Sequence, residues 1–317
     1  MPHLLVAGKL HPAGLALLDC AEDVTYDYVE EVSEPSYAPF IGKADAVVIR
    51  TQPMSSATIA EASRLKIVSR HGVGYDAVDI AALNKRQIPL CIVGDVNSLS
   101  VGEHAMALIL AAAKRLIRAD RSVRMGPWGW RNALEAGEIS GKNLLIIGYG
   151  RSGRHLARMA QGFGMQTHAF DPFLVKQGWP DGPTAAVPSL AEGLAWADVI
   201  SVHVPKTGRP VLGAEEFAVM KPGVIIVNTA RGGIVDEAAL AVALTEGRVA
   251  AAGLDVFDDE PPAKDHPLIV FDQIVLTPHI AGLTEPAAER MAVSSAQNVL
   301  DFFAGRLDSD LIVNKDF

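Results

Sequence analysis

Asn143-Leu-Leu-Ile-Ile-Gly148-Tyr-Gly150-Arg-Ser-Gly153 runs an apolar stretch straight into a GxGxxG turn, and a helical pattern, Arg154 to Gln161, follows at once. Few folds accommodate that order: it demands a buried strand, a tight turn and a helix packed back on the strand. Gly148 permits the turn, Gly150 lets a pyrophosphate approach the backbone, and Gly153 allows close helix–strand packing. Arg151 and Ser152 sit in the same turn, where the helix N-terminus offers free N–H groups and a favourable dipole. Asp171 ends the next apolar run, 18 residues after Gly153. A carboxylate there accepts hydrogen bonds from the adenosine ribose hydroxyls and repels a 2′-phosphate. The segment predicts a dinucleotide site that prefers NAD to NADP. The plainer reading is a turn shaped by three glycines and an aspartate that caps a strand end.

The rest of the chain repeats this alternation. Short apolar runs at Leu4 to Ala7, Val24 to Val29, Ala46 to Ile49, Lys66 to Ser69 and Leu90 to Val93 are each followed by a helix or turn pattern. Six more fall at Asn143 to Ile147, Gln166 to Phe170, Val199 to Val204, Val224 to Asn228, Ala250 to Asp255 and Ile274 to Thr277. Continuous apolar strands between helices predict parallel sheets covered on both faces. The expected class is α/β, with two doubly wound parallel-sheet domains. Ser100-Val-Gly-Glu103 has the spacing of a capping box and predicts a helix through about Arg118. The last helix is expected over about Glu285 to Ala304, with Leu311 to Val313 returning to the first domain.

A length of 317 residues with 49% hydrophobic content is enough for two domains. The formal charge of -9 argues against nucleic acid, whose backbone is bound through many Lys and Arg contacts. Cys20 and Cys91 are too few for a disulfide framework and lack zinc-site spacing. No His, Asp and Glu cluster has metal-ligand spacing, so no metal is expected. The N-terminus lacks the basic and apolar regions of a signal peptide, and the longest apolar run, near Ala105 to Ala113, is too short to span a bilayer. A soluble, cytoplasmic protein is expected.

Three strand ends in the second half carry the residue types that hydride transfer to a keto acid needs. Arg231 follows Asn228-Thr229-Ala230 and precedes two glycines, which offers a cation for developing oxyanion charge. Glu260 closes Asp255-Val-Phe-Asp-Asp-Glu, and His279 lies in Thr277-Pro-His-Ile-Ala-Gly282. Imidazole titrates near neutrality, and a glutamate on its other nitrogen fixes the tautomer and favours the protonated form.

With these residues in view, the chain resembles the D-isomer-specific 2-hydroxyacid dehydrogenases, a family that includes D-3-phosphoglycerate, D-lactate, glyoxylate/hydroxypyruvate and formate dehydrogenases. The resemblance spans essentially the whole chain. It rests on His71-Gly-Val-Gly-Tyr-Asp76, the glycine turn with Asp171, His203-Val-Pro205, Asn228 to Asp236, Asp255 to Pro262 and Thr277 to Gly282. It implies a Rossmann NAD-binding domain, residues 98–284, inserted in a flavodoxin-like substrate domain formed by 1–97 and 285–317. It implies a catalytic set of Arg231, Glu260 and His279. Cofactor contacts would come from Gly148, Gly150, Arg151, Ser152, Gly153, Asp171, Val204, Pro205, Thr229, Ala230, Arg231, Asp255, His279 and Gly282. Val73 and Gly74 would offer backbone N–H groups to the substrate carboxylate, with Arg231 and His279 completing the substrate contacts. A homodimer is also implied. The stretch Pro205 to Leu212 is shorter than the family's usual loop.

Arg50 and Arg70 end two strands and resemble arginines that phosphoglycerate-type members place on a substrate phosphate; each equally reads as a solvated strand end. The substrate expectation leans to 3-phosphoglycerate or hydroxypyruvate/glyoxylate. A chain ending at Phe317 sets the expectation that no regulatory domain is appended. Arg115, Arg118, Arg121 and Arg124 recur every three residues and read as one solvated or interface stripe of a helix. Trp128, Trp130 and Arg131 read as residues that pack across a dimer, with a place beside the substrate as the alternative. His71 and His203 show no carboxylate partner in the sequence, and His104 sits mid-helix. The competing function from another class is an NAD(H)-sensing binding protein or co-repressor on the same architecture.

Overall fold

The computed structural model describes residues 1–315, and the chain divides into two compact units, residues 1–97 with those from Leu283 onward, and Ser98–Gly282. In the first unit, β1 (His3–Ala7), β2 (Thr25–Val29), β3 (Ala46–Ile49), β4 (Ile67–Arg70) and β5 (Leu90–Cys91) form one parallel sheet in the order β2-β1-β3-β4-β5. That is the doubly wound order of flavodoxin-like folds. Alternate residues of each strand go to opposite faces. Leu5, Ala7, Val47, Ile49, Val68 and Leu90 enter one core. Leu4, Val6, Ala46, Val48 and Ile67 enter the other, against Ala292, Ala296 and Val299 of the helix Glu285–Phe303. Gly14 makes room for this helix, since an added Cβ would come 2.8 Å from that of Ala292. The tail does return here: Ile312 bridges antiparallel to Cys91, and the Val313 N–H donates to the Leu90 carbonyl at 2.9 Å.

The second unit holds β6 (Asn143–Ile147), β7 (Gln166–Phe170), β8 (Ala185–Ala186), β9 (Val199–Val202), β10 (Val224–Asn228), β11 (Val249–Leu254) and β12 (Ile274–Leu276), all parallel, in the order β12-β11-β10-β9-β6-β7-β8. The sheet therefore has seven strands, not the six expected. β8 is a two-residue Ala pair between turn residues, too short to carry a periodic signal. β9 ends at Val202, which leaves Val204 and Pro205 in the loop beyond it.

The helix expected from a capping box at Ser100 starts earlier and stops sooner. It spans Ser98–Lys114, and Ser100 is buried inside its first turn. Arg115 then takes a left-handed conformation (φ 53°), and a second helix, Leu116–Met125, runs on with no buried residue. The arginine stripe is broken accordingly. Arg118 pairs with Glu135, Arg121 with Asp272 and Arg124 with Asp120, whereas Arg115 lies at the junction. Gly102 and Gly253 bring the first helix close: added Cβ atoms would lie 2.8 Å from His155 Cβ and 2.7 Å from Leu108 Cβ. Among the described residues, no helix is long and apolar enough to cross a membrane.

Candidate active site

In the second unit the strand order reverses between β6 and β9, so the loops beyond those two strands flank the switch point where ligands of open α/β sheets bind. The glycine turn occupies that point. Gly148 has φ 93°, and an added Cβ would lie 2.6 Å from the His203 carbonyl oxygen. Gly153 is buried, and an added Cβ would overlap the Gly148 carbonyl oxygen. Gly150 differs: it is exposed, and nothing of the protein lies within 4 Å of where its Cβ would be. It is the N-cap of the helix Arg151–Gly162, and no side chain caps that terminus. Arg151 is exposed and Ser152 half-buried beside it. The turn thus leaves an open cradle with uncapped N–H groups, as a pyrophosphate requires.

Asp171 does two things. One oxygen accepts from the Tyr149 N–H of the glycine turn at 2.9 Å, and the other accepts from Phe173 and Leu174 N–H at 3.2 and 3.1 Å. The aspartate therefore caps the helix Pro172–Gln177 and props the turn, while its carboxylate keeps acceptor capacity for further donors. Thr229, at the end of β10, is buried with its Oγ1 lacking a hydrogen-bond partner. A buried hydroxyl left so costs about 1–3 kcal/mol, and an incoming polar ligand would remove that cost. Open cradle and orphaned hydroxyl both fit a dinucleotide in this unit.

The loop after β10 is pinned by Asn228, whose Oδ1 accepts from the Ala230 N–H at 3.0 Å and whose Nδ2 donates to the Arg231 carbonyl at 2.9 Å. Arg231 also donates from Nη1 to the Ala230 carbonyl at 2.6 Å. The next residue, Gly232, presses on the following strand's loop, where an added Cβ would overlap the Phe257 carbonyl oxygen. The Arg231 loop and the loop carrying Glu260 are therefore in direct backbone contact.

Glu260 meets His279: Oε2 lies 2.7 Å from Nδ1, and Oε1 accepts from the Phe257 N–H at 3.1 Å. The His279 side chain is 48% exposed, and its backbone is left-handed with φ 53°. A non-glycine residue held there needs surrounding support. Asp255 supplies it. Its carbonyl accepts from the His279 N–H at 2.8 Å. Its fully buried carboxylate accepts from Thr277 Oγ1 at 2.6 Å and from the Ile280 and Ala281 N–H groups, both at 2.8 Å. Asp255 itself is fully buried. Gly282 ends that loop, half-buried.

Three histidines gain partners or surroundings that the sequence does not reveal. His104 puts Nε2 3.0 Å from Thr277 Oγ1 and 3.5 Å from Asp255 Oδ1, so the helix Ser98–Lys114 also braces the His279 loop. A histidine on the sheet-facing side of that helix is the sequence signal for it. His203 contacts Ser201 Oγ at 2.9 Å, and burial pushes its pKa down to about 4. His71, in the first unit, is pushed down to about 4, first by burial and then by the Arg50 and Arg70 charges. Those arginines are anchored: Arg50 Nη1 donates to the Lys9 carbonyl at 3.3 Å, and Arg70 Nη1 to the His71 carbonyl. Val73 is exposed and Gly74 half-buried in the same unit. Among the described residues, no group of three or more His, Cys, Asp or Glu is arranged to hold a metal.

A seven-stranded doubly wound sheet with an open glycine turn at its switch point defines a dinucleotide-binding protein of the dehydrogenase type. Residues 106–281 match the model of the NAD binding domain of D-isomer specific 2-hydroxyacid dehydrogenases. The chain belongs to that family. It is 41% identical over 84% of its length to D-3-phosphoglycerate dehydrogenase of Archaeoglobus fulgidus, covering 50% of that protein. It is 39% identical over 98% of its length to the Mycobacterium tuberculosis H37Rv enzyme of the same name, covering 59%. The chain thus spans only about half the length of these curated relatives. Among solved structures, a Thermus thermophilus protein superposes with a TM-score of 0.88 at 30% identity, covering 97% of this chain and 98% of that one. An NADPH-dependent glyoxylate/hydroxypyruvate reductase of Sinorhizobium meliloti, in complex with citrate, gives 0.87 at 26%, covering 100% and 99%.

Proposed function

We propose that this chain is an NAD-dependent dehydrogenase that transfers a hydride between nicotinamide and C2 of a small D-2-hydroxy acid or its 2-keto acid, with 3-phosphoglycerate or hydroxypyruvate/glyoxylate as the favoured substrates. The observation that carries this reading is the 2.7 Å contact of His279 with Glu260. A half-exposed imidazole fixed on one nitrogen by a carboxylate leaves its other nitrogen for a substrate hydroxyl or carbonyl oxygen. His279 takes the hydroxyl proton in oxidation and returns it in reduction. Glu260 orients the ring. Arg231 holds the substrate oxygens and stabilises the charge that develops on the C2 oxygen. Bound nicotinamide supplies the hydride donor or acceptor.

Gly148, Gly150, Arg151, Ser152 and Gly153 hold the pyrophosphate in this reading, and Val204, Pro205, Thr229, Ala230 and Gly282 line the remaining cofactor contacts. Asp171 retains acceptor capacity for ribose hydroxyls, which supports NAD over NADP. Val73 and Gly74 take the substrate carboxylate. The anchored guanidinium groups of Arg50 and Arg70 both bear on His71, which supports a shared place for an anionic C3 substituent. Leu116, Ile117, Val123 and Met125 are at least half exposed on one short helix, with Trp128 and Leu134 close behind, and support a homodimer. The free thiols of Cys20 and Cys91 fit a cytoplasmic setting.

The test is NADH oxidation with hydroxypyruvate, glyoxylate, pyruvate, 2-oxoglutarate and sulfopyruvate, beside NAD reduction with 3-phosphoglycerate. Turnover with at least one acid is expected. A flat panel from protein that binds NADH would overturn the enzyme reading in favour of a sensor.

A further inference from the structure

The loop Asp255 to Glu260 is held at both ends by a histidine–glutamate pair, and only one of them belongs to the site described above. At the far side, His266 Nε2 lies 2.9 Å from Glu237 Oε2, with both side chains 16% exposed. The other oxygen of Glu237 accepts from the Asp258 N–H at 2.9 Å. The Leu268 N–H donates to His266 Nδ1 at 3.3 Å, so the proton of a neutral ring sits on Nε2 and points at Glu237. The His266 ring also packs edge-on against Phe257, centroids 5.9 Å apart.

We infer that Glu237 and His266 are positioning residues for the proposed proton-transfer pair: they fix the backbone at Phe257 and Asp258, and through it the reach of the Glu260 carboxylate to His279. The path is short and every link is a hydrogen bond or a ring contact. His266 orients Glu237; Glu237 takes the Asp258 N–H; the neighbouring Phe257 N–H is taken by Glu260 Oε1, whose partner oxygen meets His279. Phe257 is buried, whereas Asp258, Asp259 and Glu260 at the tip of this loop are exposed. Lys206 and Asp258 both come near Gly233: an added Cβ there would lie 3.0 Å from Lys206 Nζ and 3.6 Å from Asp258 Oδ1. Because Gly232 abuts the Phe257 carbonyl, a loop that slackened would also release the Arg231 turn. Misplacing reacting groups by about 1 Å costs on the order of a hundredfold in rate, so a second clamp on this loop has kinetic weight.

This inference rests on reading Glu260 and His279 as the acid/base pair, and the experiment separates the two. The variants are Glu237→Gln, His266→Ala, His266→Gln and His279→Ala, with the full chain, NADH and whichever keto acid the panel identifies. His266→Ala and Glu237→Gln are expected to lose about ten- to a hundredfold in kcat. The KM for NADH stays put, so the loss falls on the chemical step alone. His266→Gln, whose amide still donates to Glu237, restores most of the rate. Variants that melt earlier yet keep the wild-type kcat would make the pair merely structural and overturn the inference. His279→Ala with undiminished turnover would sink the underlying reading, and this inference with it.

Discussion

The carboxylate of Asp255 and the hydroxyl of Thr277 share a 2.6 Å hydrogen bond in which the acid is wholly buried, and that contact ties the end of β11 to the loop bearing His279. The same carboxylate takes two backbone N–H groups of that loop. Asp255→Asn keeps the shape but turns one acceptor into a donor facing an N–H. Leaving a buried donor unmatched costs about 1–3 kcal/mol, so the midpoint of urea unfolding should drop by that equivalent. NADH oxidation should fall further than stability alone accounts for, because the left-handed His279 loses its brace. An unchanged midpoint would show that the loop does not depend on this acid.

Gly150→Ala separates a ligand cradle from a mere turn. The residue has φ −74° and no protein atom near its Cβ position, so alanine is sterically free in the protein alone. Thermal stability should be unchanged or slightly higher, since alanine restricts the unfolded chain. The Kd for NADH, read by fluorescence titration, should rise by roughly tenfold or more, as expected for blocking a backbone–pyrophosphate approach. Equal NADH affinity would return Gly150 to a turn former.

Acid should destabilise the first unit through His71. Its folded-state pKa of about 4 lies below the ordinary histidine value of 6.5. The unfolded chain therefore takes up a proton that the folded one refuses between those values. The contribution is complete above about pH 6.5 and is lost as pH falls towards 4, by up to about 3 kcal/mol for a shift of this size. Urea midpoints at about pH 7.5 and pH 5, on either side of that ordinary value, should differ, and His71→Gln should narrow the gap. A gap of the same width in the variant would place the pH dependence elsewhere.

Much of this molecule is legible in its sequence, for reasons that individual residues make plain. Strands such as Asn143–Ile147 and Val224–Asn228 are buried on both faces and read as unbroken apolar runs. Gly148 and Gly153 each answer a separate steric demand of the protein, and Gly150 leaves the cradle between them open, so their spacing carries the turn. Arg231, Glu260 and His279 are visible because each follows a strand end, and the structure brings Glu260 to His279 and packs the Arg231 loop on the Glu260 loop. What is not legible depends on contacts distant in sequence or on local backbone choices. Arg115 carries no residue-type signal for the left-handed break that splits the helix expected through Arg118. β8 is two alanines recruited by pairing with β7. His104 and His266 find Asp255 and Glu237 far away along the chain, where no pattern links them.

Removing the apolar character of the helix Leu116–Met125 tests the proposed dimer. Val123 and Met125 are 63% and 71% exposed, so Val123→Asp with Met125→Asp should leave the fold intact. Sedimentation should move from dimer to monomer, because charged groups are depleted from the core of a subunit interface. A wild-type chain that sediments as a monomer would refute that assembly.

His279, held by Glu260, is proposed to move the proton that accompanies hydride transfer. Single-turnover NADH oxidation by His279→Asn, with the best keto acid of the panel, should be slower than wild type by about a thousandfold or more, in keeping with the loss of a positioned general acid. The Kd for NADH should stay within about twofold, since the glycine turn is untouched. A His279→Asn chain that oxidises NADH within about tenfold of wild type would contradict the account.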